Sequence, residues 1–122
     1  MPRLPLFHRL ALVTFWGAVV FTFVEAVIPA PQAIEIFPSD KAMHFLAFYV
    51  LAILAAAAYP RRSVVMMGAA LSGFGALIEI VQAIPFLHRD CDFWDWATDT
   101  VAVGAALTPM VLVWWREKFR VT

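Results

Sequence analysis

Three short groups of ionisable and amide-bearing residues sit at the edges of long apolar stretches. Asp40, Lys41 and His44 form the first, Glu79 and Gln82 the second, and Arg89, Asp92, Asp95 and Asp99 the third. A carboxylate and an imidazole held together can pass a proton, which makes His44, Glu79 and Asp95 the candidates for acid–base work. Lys41 and Arg89 could hold an anion, and all nine residues together could line a ligand site. Asp92, Asp95 and Asp99 are three and four positions apart, so a helix starting early enough puts them on one face. Like charges that close resist joint ionisation unless a cation lies between them, and Arg89, Lys41 and His44 are the cations at hand. A divalent metal could be held by His44, Glu79 and the aspartates, because hard cations favour oxygen ligands. Nothing in the spacing demands a metal, and no cofactor is expected.

Each group also has a purely architectural reading. Asp40 can cap a helix start, helped by Ser39, with Lys41 pairing to a nearby acid. Glu79 and Gln82 can bond across a helix interface. Arg89 and the aspartates can form an internal ion-pair network that locks a loop. A helix cap does not require His44, and a glutamate is a costlier interhelical bond than a glutamine, so the functional readings of these two groups carry more weight. Glu25 is read as an interfacial residue, His8 and His88 as solvated, and Cys91 as an exposed bystander.

The stretches that must position these groups are apolar enough for lipid. The chain has 122 residues, of which 63% are hydrophobic and 15% charged, and its mean hydropathy is +0.81. Soluble domains carry roughly 45–50% apolar and about 25% charged residues, and a small soluble fold has too little core to hide such an excess. A bilayer core needs about 20 apolar residues in helix. Four runs meet that need, over 10–28, 42–59, 64–84 and 97–115. Pro29, Pro31, Pro60 and Pro85 punctuate the breaks. The expected fold is therefore all-α: one domain over 1–122, a four-helix transmembrane bundle. The first run is longer than a signal-peptide core, so it is expected to stay as a helix.

Positive charge orients the bundle. Arg3, Arg9, Arg61, Arg62, Arg116, Lys118 and Arg120 fall on one side of four alternating helices, against Lys41 and Arg89 on the other. Both termini are therefore expected in the cytoplasm, with 29–41 and 85–96 facing outward. Trp94 and Trp96 at one end of the last helix and Trp114 and Trp115 at the other match interfacial aromatic belts. A formal net charge of zero offers no basic face for nucleic acid. A single cysteine excludes an intramolecular disulfide.

Membrane helices approach through small residues. That criterion predicts inward faces at Thr14, Ala18, Thr22 and Glu25; at His44, Phe48, Ala52 and Ala55; at Gly68, Ser72, Gly75, Ala76, Glu79 and Gln82; and at Asp95, Asp99, Ala102 and Ala106. Every face leads to an ionisable residue near the outward end. At 1.5 Å per residue Glu79 lies roughly 8 Å inside its span, and Asp99 about as deep. A charge at such a site costs about 2.5–3.5 kcal/mol on insertion scales, so it faces the bundle or a wet cavity.

Asp40-Lys41-Ala42-Met43-His44-Phe45 resembles the D-K-x-x-H-F opening of the VanZ-like family. Glu79-Ile80-Val81-Gln82 resembles its E-x-x-Q. Arg89, Asp92, Asp95 and Asp99 fall where that family has R-x-x-D-x-x-D followed by Asn four residues on. Asp99 takes the place of that Asn, and Ala102 that of a helix glycine. The resemblance implies a multi-pass helical protein of the bacterial inner membrane and cell envelope. It is similar to a family whose named member raises resistance to teicoplanin, a lipid-bearing glycopeptide. The expected function is an outward polar pocket that binds a lipid-linked or amphiphilic molecule, with Phe45, Phe48, Phe93, Trp94 and Trp96 around it. Expected partners are membrane lipids and a lipid-linked envelope precursor or lipoglycopeptide, with self-association left open. Two alternatives stand beside it: an acid–base hydrolase or transferase acting on a lipid or glycan head group, and a small proton-coupled transporter. Whether the chain is an enzyme is open, because no serine or cysteine nucleophile lies among the candidates.

Overall fold

The computed structural model describes residues 5–28, 40–84 and 93–118, with the side chains of 40, 114, 115, 117 and 118 outside the description. Four helices follow one another: α1 (Leu6–Val27), α2 (Asp40–Ala58), α3 (Val64–Gln82) and α4 (Phe93–Lys118). All four are long and apolar enough to cross a membrane, with mean hydropathy between 1.4 and 2.0 over the spanning segments. There is no strand among the described residues.

Local chemistry sets the boundaries. Pro5 stands at the N-cap of α1, where its missing N–H is no loss, and Arg9 N–H donates back to Pro5 O at 3.1 Å. α1 ends at Ile28, whose extended backbone (φ −71°, ψ 153°) suits the residue before Pro29. Ser63 caps α3 through its hydroxyl, which accepts from Met66 N–H at 3.3 Å. Inside α4, Pro109 removes one helical donor, while Thr108 Oγ1 donates to Gly104 O at 2.5 Å.

The helices also expose apolar side chains all round, Val13, Val65 and Ile80 among them, as spans bathed in lipid do. The buried core is narrow: Ala11 and Phe15 of α1; Phe48, Leu51, Ala52, Ala55 and Ala58 of α2; Met67, Leu71 and Ile78 of α3; and Ala102, Val103 and Leu107 of α4. α2 packs against α4 and α1, while α3 packs mainly against α4. The small-residue faces of α2, α3 and α4 point inward as expected. On α1 the face differs: Thr14 is exposed and Ala11, Phe15 and Ala18 turn inward. Phe15 packs edge-on against Tyr59, the residue that follows α2, with centroids 6.0 Å apart, and its size draws that side of α1 to the bundle where a hydroxyl would not.

Two further expectations are corrected. His8 is half-buried rather than solvated: Nε2–H donates to Ala58 O at 2.9 Å, satisfying a carbonyl left open at the end of α2. α4 begins at Phe93, four residues before the expected 97, so Asp95 falls in its first turn.

Candidate functional site

The start of α2, the end of α3 and the start of α4 meet at one end of the bundle. Lys41 and His44 come from α2, Glu79 from α3, and Asp95 and Asp99 from α4. α4's early start places Asp95 and Asp99 one turn apart on its inward face.

His44 is the hub. Its Nδ1 lies 2.8 Å from Asp99 Oδ1. An ionised carboxylate can only accept, so Nδ1–H donates and Nε2 is left to face Asp95, whose Oδ2 is 3.8 Å away. Lys41 Nζ approaches the other oxygen of Asp95 at 3.4 Å. One donor atom each of His44, Glu79 and Asp95 lie within 4.8 Å of one another. Glu79, Asp95 and Asp99 are buried, and the Lys41 side chain, 49% exposed, forms the outer edge of the group.

Asp99 is fully buried, and its Oδ2 has no hydrogen-bond partner. That oxygen lies against Gly75 of α3: a Cβ built there would sit 2.8 Å from Oδ2 and 3.3 Å from Asp99 Cβ. Real Cβ atoms do not come that close, so a hydrogen at this position is what lets α3 seat against the carboxylate. Hydroxyl and indole groups tie the same two helices together. Ser72 and Thr100 share a hydrogen bond at 2.9 Å, and Trp96 Nε1–H donates to Ser72 O at 3.0 Å.

Gln82 takes another direction. Its Nε2 donates to Ala26 O of α1 at 2.9 Å, so it fastens α3 to α1, and its buried Oε1 has no partner. The Asp40 side chain, Arg89 and Asp92 lie outside the described residues, as do His88 and Cys91. Of the aromatic residues expected around the pocket, Phe48 is core, and Phe45, Phe93 and Trp94 are exposed. Trp96 belongs half to the interface and half to the helix contact, because its ring N–H is bonded inward. The side chains of Trp114 and Trp115 lie outside the description.

Thr100 was not visible as a partner in the sequence; a hydroxyl next to Asp99 on a helix otherwise apolar was the available signal. A second feature had no sequence signal. An apolar cavity of about 320 Å³ opens between Phe15, Trp16 and Val19 of α1, Ala55 of α2 with Tyr59 just beyond it, and Met66, Met67, Ala70, Leu71 and Phe74 of α3, with Arg62 at its edge. It lies towards the opposite ends of α2 and α3 from His44 and Glu79.

No family model, curated protein or solved structure matches this chain.

Proposed function

We propose that the chain is a multi-pass membrane protein of the bacterial cell envelope that binds the polar head of a lipid-linked or amphiphilic molecule at the His44 end of the bundle. The observation that carries this reading is the meeting of Lys41, His44, Glu79, Asp95 and Asp99 from three helices at one point. Buried charge at a membrane depth is expensive and marks functional sites by default. An architectural bundle has no need of it, since small residues and hydroxyls already join α3 to α4. The exposed rings of Phe45, Phe93 and Trp94 stand at the same ends of α2 and α4 as the cluster. There they suit the boundary between head groups and acyl chains. The charge bias of the termini and of Arg61 and Arg62 supports an arrangement with both termini in the cytoplasm, the cluster facing outward and the inner membrane as location. The VanZ-like motifs extend this to lipoglycopeptide tolerance as the cellular outcome.

The test is to purify the chain in nanodiscs and identify co-purifying amphiphiles by mass spectrometry, beside drug sensitivity of the expressing cells. Wild type should retain a defined lipid class and raise tolerance to a teicoplanin-like drug. Asp95→Asn should lose both at normal expression. Identical lipid profiles and sensitivities for the two proteins would sink the reading.

The His44–Asp99 contact favours one alternative. A carboxylate that holds Nδ1–H orients Nε2 as a base, which suits hydrolysis or transfer at a bound head group. Incubation with extracted envelope lipids should then give a product that His44→Ala does not. Equal product from both proteins would remove this alternative and leave binding alone.

A further inference from the structure

We infer that His44, Glu79 and Asp95 form a binding site for one divalent transition-metal ion of the zinc or manganese class, with Asp99 as the residue that orients the histidine.

The spacing of donor atoms is the first ground. His44 Nε2 and Asp95 Oδ2 are 3.8 Å apart. That is beyond the ~3.2 Å limit of an ordinary hydrogen bond. It is close to the separation of two donors that each sit roughly 2.0–2.2 Å from a shared ion. Glu79 brings a third donor: one donor atom of each of the three residues lies within 4.8 Å of the others, so side-chain movement alone suffices to close the set on an ion.

The second ground is the orientation of the imidazole. Metal-bound histidines almost always give their other ring N–H to a carboxylate or carbonyl, which fixes the tautomer and aims the lone pair. Asp99 Oδ1 accepts from His44 Nδ1 at 2.8 Å, leaving Nε2 as the donor atom towards Asp95. Asp99 is fully buried, with its second oxygen unpartnered against Gly75, so it is held in place with charge to spare.

Charge is the third ground. Glu79 and Asp95 are buried acids, and a divalent ion is a counter-charge suited to buried carboxylates. The Lys41 ammonium, 3.4 Å from Asp95 Oδ1, is half-exposed and on a flexible stem, so it can swing aside. An imidazole with two carboxylates suits zinc or manganese better than magnesium or calcium, which prefer oxygen alone. Three protein donors leave a coordination position open, as catalytic and ligand-binding metal sites do. That an oxygen of the amphiphile's head group fills this position rests on the ligand-binding reading above; the metal site does not.

The experiment uses the full chain in detergent, stripped with chelator and titrated with Zn²⁺, Mn²⁺ and, for its visible absorption, Co²⁺, with no amphiphile added. Wild type should bind one ion per chain. His44→Ala, Glu79→Gln and Asp95→Asn should each weaken binding at least tenfold. Asp99→Asn should weaken it about tenfold or more while one ion per chain remains. Lys41→Met should bind as well as or better than wild type, because a competing cation is gone. His8→Ala, at the other end of the bundle, should be unchanged. Should a ligand variant fail to fold, the metal-dependent rise in the wild type's unfolding temperature still reports binding. Its absence, or a rise shared by folded Asp95→Asn, overturns the site. So do undiminished binding in His44→Ala and tighter binding of Mg²⁺ than of Zn²⁺. Repeating the lipid profile with and without chelator separates the two claims: metal bound with no retained amphiphile leaves the site standing and removes the head-group reading.

Discussion

At one end of α2 and α3, Lys41, His44 and Glu79 meet Asp95 and Asp99 of α4. Towards the other end, Ala55, Tyr59, Met67 and Leu71 line an apolar cavity with Phe15 of α1. The polar end is held by specific atoms at specific distances. The apolar end is loosely filled and leaves about 320 Å³ unoccupied by protein. Lipid tails are as apolar as the helices, so nothing expels a groove from the membrane or forces side chains to fill it. A buried carboxylate has no such latitude, because an unsatisfied charge in that medium is expensive. The difference teaches that the membrane tolerates imperfect apolar packing and penalises imperfect polar pairing, so substitutions should cost far more at the His44 end.

The largest effect should come from Asp99→Ala. It removes the partner of His44 Nδ1 and leaves a buried imbalance, with an expected loss of about 3 kcal/mol in reversible unfolding by detergent. Replacing both His44 and Asp99 by Leu should recover most of that loss, since an apolar pair needs no compensation. A double variant as unstable as the single would mean the pair is there for the fold.

Gly75→Ala comes next. The added methyl meets Asp99 Oδ2 at 2.8 Å, and overpacking of this kind costs about 1–3 kcal/mol. Gly73→Ala, two residues away with nothing within 4 Å, should be neutral or gain up to about 1 kcal/mol from helix propensity. Equal effects at 73 and 75 would break the argument for a carboxylate seat.

Ser72→Ala removes the bond to Thr100 and should cost about 0.6 kcal/mol, the usual size of an interhelical hydrogen bond in a membrane. The smallest effect belongs to the groove. Ala70→Leu adds bulk to an exposed cavity wall and should change stability by less than about 0.5 kcal/mol. A shift as large as that of Gly75→Ala would contradict the contrast between the two ends.

Much of the fold is legible in the residues. Four apolar runs near 20 residues, broken by proline, can hardly be anything but spanning helices. The inward faces of α2, α3 and α4 follow from small residues at helical spacing. α1 breaks the rule because it carries an aromatic contact, Phe15 with Tyr59, that spacing alone does not foretell. The start of α4, at Phe93, also lies earlier than its apolar run implies. Trp94, Asp95 and Trp96 look like interfacial residues beyond a span, yet they are helical, and the acid there lies in a first turn where negative charge is favoured.

Composition and periodicity, taken alone, determined that this chain makes four membrane-length helices and that its ionisable residues crowd towards one end. Those properties follow from transfer between water and lipid, which each segment undergoes largely by itself. Tertiary structure alone decided which polar atoms face one another. It gave Asp99 to His44 and Lys41 to Asp95, sent Gln82 to the backbone of α1, and placed Gly75 where a carboxylate needs room. Such choices depend on the rotation and depth of one helix against its neighbour. A shift of one residue turns a helical side chain by about 100°, so only the packed bundle could make them.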